Sequence, residues 1–151
     1  MNQLELISGG RELLEDVRNL WEKLNTYHRN HSTHFSNKFD CLTFEKRKQK
    51  FLNTDLEVHV DLIEDKESHT YIGYCIGTLN GELDGEIDSL FIESKYRQYG
   101  LGAELMNHLL EWFEYRRARS IVIGVCAGNE SVLDFYQKFG FFKRSYILER
   151  K

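Results

Sequence analysis

The chain has 151 residues, of which 41% are hydrophobic and 29% are charged. That length and composition suit one globular domain of ordinary size, so we expect residues 1–151 to form a single domain. The formal net charge of -4 argues against a general nucleic-acid-binding protein, which needs a strong surplus of basic residues.

The sequence contains few residues or patterns that indicate membrane targeting, disulfide bonds or metal binding by cysteine. No apolar run approaches the ~20 residues that cross a bilayer, and residues 1–5 show no signal-peptide pattern. We therefore expect a cytoplasmic protein with no membrane partner. The three cysteines are widely spaced and odd in number, which indicates neither a disulfide framework nor a thiolate metal cage.

The first half of the chain predicts two helices and three strands. A short strand at residues 4–7 is followed by an amphipathic helix with apolar residues at helical spacing from Leu13 to Leu24. The next stretch is polar and irregular until a second, shorter helix begins. The elements after the first helix are an irregular segment at 27–42, a helix at 43–52, a half-buried alternating strand at 56–62 and a strand at 70–79.

The second half predicts a strand, a helix, a strand, a helix and a closing strand. The turn at Asn80-Gly81 precedes a strand at 86–92, and a glycine-bearing loop then leads into a strong helix. The remaining elements are a buried strand at 120–127, a helix that Asn129 can cap and Gly140 ends, and a strand at 141–148.

The order of these elements predicts an α/β fold. Antiparallel strands joined by hairpins come first, and a strand–helix–strand crossover that must be parallel and right-handed comes next. A mixed sheet of this kind carries helices on both faces.

The segment from Leu90 to Ala103 has the pattern of an anion site. A strand ends, and a loop with Arg97, Gly100 and Gly102 leads into a helix, whose first backbone N–H groups and dipole attract negative charge. The glycines remove Cβ atoms that would keep phosphate oxygens away. A nucleoside-triphosphate loop would need Gly-Lys-Ser/Thr, and a dinucleotide fingerprint would need a third glycine near Leu105. A flexible loop with two glycines is the alternative.

Two segments carry a resemblance to a known family. Arg97-x-x-Gly100-x-Gly102, preceded by the strand 86–92, resembles the acetyl-CoA-binding motif of the GNAT superfamily of N-acetyltransferases. The segment 129–141, an Asn followed by Phe-Tyr and a Gly-Phe close, resembles that family's second signature. The chain departs from the commonest pattern at Gln98 and Tyr99, where glycine and lysine are frequent.

The resemblance implies a fold and a cofactor site. The implied fold is a GNAT-like mixed sheet, with antiparallel N-terminal strands and a parallel pair that splays apart around acetyl-CoA. Backbone groups of Leu90, Phe91 and Ile92 would pair with the pantetheine arm, and Asn129 would contact the cofactor or cap its helix. The pyrophosphate would lie against Arg97, Gln98, Tyr99, Gly100, Leu101, Gly102 and Ala103.

The resemblance also implies catalytic roles. Tyr136 matches the family's general acid, which protonates the departing CoA thiolate, although its place on an apolar helix stripe also suits a core residue. Glu86 or Asp88 would deprotonate the amine, directly or through water. The alternative is a solvated strand end with acidic neighbours Glu82 and Asp84. A further hypothesis is that the four carboxylates from Glu82 to Asp88 attract a cationic acceptor.

The implied reaction is direct transfer of acetyl from acetyl-CoA to a primary amine, here expected on a small molecule. A protein N-terminus or lysine side chain is an alternative acceptor, and a non-catalytic acyl-CoA sensor is an alternative class. A possible homodimer would form by pairing of the strand Phe141–Leu148 with a second subunit.

Other features are given ordinary structural roles. No metal is expected, because His28, His31 and His34 lack a zinc-binding arrangement. The basic cluster Lys46–Lys50 is interpreted as the solvated face of a short helix. Cys126 lacks the neighbours that activate a nucleophile.

Overall fold

The computed structural model describes residues 3–151. The first two residues of segment 1–5, which shows no signal-peptide pattern, therefore lie outside the described residues. Five strands form one sheet in the order β1-β2-β3-β4-β5. The first three pairings are antiparallel, and β4 and β5 are parallel. The strands are β1 Leu4–Gly9, β2 Glu57–Asp65, β3 Thr70–Leu79, β4 Asp84–Ile92 and β5 Ser120–Ile123.

Helices cover both faces of this sheet. The helices are α1 Leu14–His31, α2 Ser36–Asp40, α3 Phe44–Phe51, α4 Leu101–Tyr115 and α5 Leu133–Gln137. One face packs against α1 and α3 through a core that includes Leu14, Phe44 and Tyr74. The other face packs against α4 and α5 through a core that includes Leu109 and Phe113. The predicted α/β class, with a mixed sheet between helices, is confirmed.

Helix α1 runs further than its sequence pattern predicts. It continues to His31, and α2 follows it, so the prediction of an irregular segment at 27–42 is wrong for much of its length. The last turns are polar because they are largely exposed, and not because the helix has ended. The rings of Tyr27 and His31 stack at 3.9 Å between centroids, and the Asn25 side chain donates to the Phe39 carbonyl at 3.0 Å.

Strand β2 is covered on both faces at its centre. The alternation of apolar and polar residues predicts a half-buried strand, yet Asp61 is fully buried together with Leu62 and Ile63. The prediction is wrong here because α4 covers the face that carries the polar residues. The alternation shows that the two faces of the strand differ in polarity, but it does not show which face is exposed to solvent.

The end of the chain differs most from the prediction. β5 ends at Ile123 instead of residue 127, and residues 141–148 form no strand. Ile147 is 95% exposed and Leu148 is 92% exposed. An apolar segment becomes a strand only where an edge offers hydrogen-bond partners, and the outer strand β5 presents only four residues.

No helix among residues 3–151 has both the length and the apolarity needed to cross a bilayer.

Candidate active site

The parallel strands β4 and β5 pair with each other at one end of β4 only. They pair from Asp84 with Ser120 to Ile87 with Ile123, and β5 then ends. From Ser89 to Ile92, β4 pairs only with β3. Half of the backbone polar groups in this stretch point away from β3, so they can pair with an extended ligand. The predicted residues Leu90, Phe91 and Ile92 lie in this open stretch.

A bulge in β4 marks the point of separation. Gly77 of β3 is opposite Ile87, and the preceding Ile76 is opposite Ser89, so Asp88 is an extra residue without a partner in β3. A bulge bends its strand and increases the local twist. The bulge therefore lies where the pairing of β4 with β5 stops.

The start of α4 faces the same end of β4. Gly100, the residue before the helix, has a φ of 72°, and no side chain caps the helix. A Cβ at Gly100 would meet nothing within 4 Å. The first N–H groups of a helix have no partner inside it, so they are available to an anion here.

The segment before α4 is ordered and tied to β4. Residues Ser94–Tyr99 form a 3-10 turn in place of the flexible loop considered from the sequence. Arg97 Nε donates to the Ile92 carbonyl at 2.8 Å, and its guanidinium lies 5.3 Å from the centre of the Phe91 ring. Gln98 and Tyr99 are exposed beside it. Arg97 thus fixes the turn to the strand and brings positive charge to the helix start.

Helix α5 carries Tyr136 next to this start. A Cβ on Gly102 would lie 3.5 Å from the ring of Phe135, the residue before Tyr136. Tyr136 is 8% exposed, and burial raises its pKa to about 12. Within residues 3–151 its hydroxyl has no hydrogen-bond partner. Its ring packs among aromatic neighbours, so it has the surroundings of a core residue and an uncommitted donor.

The two candidate bases are already paired with cations from α3. Lys50 Nζ lies 2.8 Å from Glu86 and 3.3 Å from Asp88, and Arg47 lies 3.3 Å from Asp88. The Asp88 side chain is 4% exposed and that of Glu86 is 43% exposed. Glu86 keeps access to water, whereas Asp88 is enclosed by its partners.

The remaining carboxylates of this region are paired as well. Asp84 accepts hydrogen bonds from Arg119 and Ser120, and Glu82 lies 3.6 Å from the same Arg119. The bond from Arg119, with that from Ser120, lowers the pKa of Asp84 to about 2. The acidic run from Glu82 to Asp88 is therefore matched by basic residues, which weakens the idea that it attracts a cationic acceptor.

Arg47 and Lys50 are the residues that the sequence interpretation missed. The cluster Lys46–Lys50 was expected to be a solvated helix face, and that is wrong for these two, which reach across to β4. Their spacing of three places them on one side of the helix, but only the fold shows what that side faces.

The loop after β5 lies against the end of α1. Gly128 has a φ of 101°, and a Cβ there would lie 2.0 Å from the His31 carbonyl oxygen. Asn129 makes no side-chain cap to the following turn, so the predicted capping role is wrong. Its backbone N–H donates to the Cys126 carbonyl at 2.9 Å. The open end of β4 is thus bounded by α1, this loop and α3.

Histidine and cysteine side chains around this space are shielded. Burial lowers the pKa of His28, whose ring lies 5.7 Å from that of Phe39. Burial raises the pKa of Cys126, which disfavours the thiolate that a nucleophile needs.

Comparisons with known proteins give one family. The model of the acetyltransferase (GNAT) family matches residues 14–141. N-alpha-acetyltransferase 50 of Danio rerio is 45% identical over 47 residues, which is 30% of this chain and 28% of that protein. An uncharacterized N-acetyltransferase of Methanocaldococcus jannaschii is 27% identical over 62 residues, 41% of this chain and 27% of that protein. The matches span little more than a quarter of these curated relatives.

Solved structures share the fold at low sequence identity. A GCN5-related N-acetyltransferase from Ralstonia eutropha JMP134 aligns with a TM-score of 0.72 at 13% identity over 98% of both chains. The aminoglycoside N-acetyltransferase AAC(6')-Iy in complex with CoA aligns at 0.68, with 16% identity over 98% of this chain and 94% of the other. An aminoglycoside acetyltransferase from an uncultured soil metagenomic sample aligns at 0.64, with 13% identity over 99% and 95%.

Proposed function

The chain belongs to the acetyltransferase (GNAT) family, and we propose that it transfers acetyl from acetyl-CoA to a primary amine of a small molecule. The proposal rests above all on the unpaired edge of β4 beyond the end of β5, close to the uncapped start of α4. An acyl carrier with an extended amide-bearing arm and a pyrophosphate needs both features at once. Acetyl-CoA has that chemistry, and a neighbour of the same fold is a complex with CoA.

The residues present fit that donor. Open backbone groups between Asp88 and Ile92 suit the amides of a pantetheine arm, and one N–H there would polarise the thioester carbonyl as its oxygen gains charge. Gly100 leaves room for phosphate oxygens at the α4 amides, with Arg97 alongside. The half-buried Asn129 lies in the loop that borders the opening, and we assign it a contact with the donor.

The chemistry of transfer is direct. The amine nitrogen forms a bond to the acetyl carbon, and the carbon–sulfur bond breaks to release a thiolate. Tyr136 donates its phenolic proton or a hydrogen bond to that sulfur, and its raised pKa keeps the phenol protonated at neutral pH. No acyl-enzyme is needed, which agrees with the raised pKa of Cys126.

The attacking amine must first lose a proton. Glu86 is the better candidate for the base, because it is exposed to water and holds one cation, whereas Asp88 is enclosed by two. We assign Glu86 the base role, through a water molecule. Asp88 would hold Arg47 and Lys50 in place at the edge of the opening.

The contact between Gly128 and the end of α1 supports a small acceptor. This contact joins the loop after β5 to α1, and we infer that it closes one side of the space over the open end of β4, whereas a peptide needs a groove that continues past the acetyl group. Two structural neighbours are aminoglycoside acetyltransferases. The 47-residue match to N-alpha-acetyltransferase 50 favours the alternative, a protein N-terminus.

Acetyl-CoA turnover over a panel of amines tests the proposal. The release of CoA is measured with polyamines, aminoglycosides, amino acids and short peptides as acceptors. We expect acetylation of at least one small amine, verified by mass spectrometry. Acetylation of peptides alone would move the acceptor to proteins, and acetyl-CoA binding without turnover on any amine would indicate a sensor.

A further inference from the structure

A buried carboxylate lies between two histidines on the side of the sheet that α4 covers. Asp61 of β2 is fully buried, and its Oδ1 lies 3.0 Å from His59 Nε2. Its Oδ2 lies 2.9 Å from Nδ1 of His108, a residue of α4. Each of the three residues offers one atom that could bind a metal ion, and these atoms all lie within 4.8 Å of one another. The reaction proposed above uses none of them.

The carboxylate is surrounded by polar side chains from β1, β2, β3 and α4. A buried negative charge at the sheet centre needs compensating positive charge nearby. Within residues 3–151, the contacts of Asp61 are these two imidazoles, the Ser8 hydroxyl at 2.6 Å and the Cys75 thiol at 3.8 Å.

The donor set is that of a transition-metal site. Two imidazole nitrogens and one carboxylate oxygen suit zinc and its neighbours better than magnesium or calcium, which prefer oxygen. Ligand atoms about 2.0–2.1 Å from a tetrahedral zinc ion lie roughly 3.3 Å apart. The two nitrogen–oxygen separations here, 3.0 Å to Asp61 Oδ1 and 2.9 Å to Asp61 Oδ2, are close to that value. Because each imidazole faces a different oxygen, an ion between them would contact both carboxylate oxygens, or one of them after the carboxylate turns.

The surroundings also fit such a site. Ser8 donates to the Asp61 oxygen that faces His59, and the ring of Trp112 stacks on His59 at 4.9 Å and 19°. Outer contacts of this kind orient metal ligands. The His108 side chain is 39% exposed and that of His59 is 13% exposed, so an ion and a water ligand can enter from solvent beside His108.

We propose that His59, Asp61 and His108 bind one divalent transition-metal ion, with zinc as the best match, in a site that joins β2 to α4. The imidazoles bind as neutral ligands, so the ion compensates the Asp61 carboxylate and completes its coordination with water. The site lies along α4 from the proposed phosphate-binding start, and it does not depend on the proposed reaction.

Direct metal binding tests the site. The untagged full chain is stripped with a chelator, dialysed against zinc, and analysed for metal content by mass spectrometry. We expect about one zinc per chain, a higher melting temperature with zinc, and visible absorption bands when cobalt(II) replaces it. Binding of no zinc by the stripped protein would overturn the proposal, since the cluster would then be only a hydrogen-bond network.

Variants assign the ion to these residues. His108→Ala changes a partly exposed ligand and should weaken zinc binding by more than the roughly 10–100-fold that an outer contact is worth. Ser8→Ala, an outer contact, should weaken it by about 10-fold. His34→Ala, an exposed histidine elsewhere, is the control and should bind as the unchanged chain does. Equal zinc affinity in His108→Ala and the unchanged chain would place the ion elsewhere and overturn the assignment.

Discussion

The end of β4 that pairs with β5 and the end that extends beyond β5 have different surroundings. Between Gly85 and Ile87, β4 pairs with both β3 and β5, and Asp84 binds Arg119 and Ser120 at the start of β5. From Ser89 onward, β4 has a strand on one side only, and the carboxylates of Glu86 and Asp88 just before this stretch face cations of α3. We call the first end the clamp, and the second is the proposed binding surface.

This difference shows how a small change in register produces a site. One extra residue in β4 and the early end of β5 leave backbone groups open without unfolding the sheet, because β3 still pairs with β4 up to Ile92. The clamp resists further separation of the strands. Substitutions at the open end should therefore change activity and spare stability, and substitutions at the clamp should do the opposite.

The largest effect is expected for Tyr136→Phe at the open end. Loss of the phenolic proton should lower kcat about 100-fold, within the range of general-acid catalysis, and leave acetyl-CoA affinity nearly unchanged. Steady-state kinetics and calorimetric binding measure the two. Tyr115→Phe, at a tyrosine that is 81% exposed, is the matched control. A kcat that stays within about 2-fold of the unchanged chain would assign Tyr136 to the core alone.

The raised pKa of Tyr136 adds a pH signature to that variant. The acid must be protonated to act, and with a pKa of about 12 it stays protonated through neutral and mildly alkaline pH. The rate should therefore rise with pH as the amine loses its proton and show no alkaline fall up to about pH 10. An alkaline fall in rate that begins below about pH 10, and that Tyr136→Phe abolishes, would contradict this prediction.

Glu86→Gln is expected to have the next largest effect. An amide cannot accept the proton, so kcat/KM should fall about 10-fold at neutral pH, with the gap closing as rising pH deprotonates the amine. Glu82→Gln, on the exposed turn before β4, is the control. Normal pH–rate behaviour in Glu86→Gln would remove it as the base.

Gly100→Ala probes the helix start and should have a smaller effect. An alanine at this left-handed φ costs about 1 kcal/mol, and the relaxed turn would present the α4 amides less well, so acetyl-CoA affinity should fall about 5-fold. Gly81→Ala is the control, because its Cβ would also meet nothing within 4 Å. Unchanged affinity in Gly100→Ala would argue against an anion at these amides.

The smallest effect on activity belongs to Asp84→Asn at the clamp. Kinetics should stay within about 2-fold, and the melting temperature at neutral pH should fall by at most about 2 °C, as exposed ion pairs contribute little. Because Asp84 has a pKa lowered from 3.8 to about 2, the stabilisation is present above about pH 4 and is lost as the pH falls through about 2. Thermal melts across that range measure it, with Glu111→Gln as control.

The sequence predicts the parts of the molecule that depend on near neighbours. The turn and helix start from Arg97 to Gly102 are contiguous, so their glycines and charge can be recognised without knowing the fold. The sheet and its helices follow from periodicity for the same reason.

The parts that the sequence does not predict join distant positions. Lys50 and Glu86 are 36 residues apart, and Asp61 and His108 are 47 apart, so only the packed sheet brings them together. The prediction of a strand at 141–148 is wrong for a related reason. The segment has a suitable pattern of its own, but the outer edge of the sheet does not pair with it.

That exposed chain end has a practical consequence for proteolysis. Lys143 and Arg144 are exposed outside the sheet, and Tyr146, Ile147 and Leu148 beyond them have little contact with the fold. Trypsin should therefore trim the chain there well before it cuts within the sheet. A second copy covering this segment would slow the trimming as protein concentration rises, so the rate of cleavage reports whether the apolar end meets a partner.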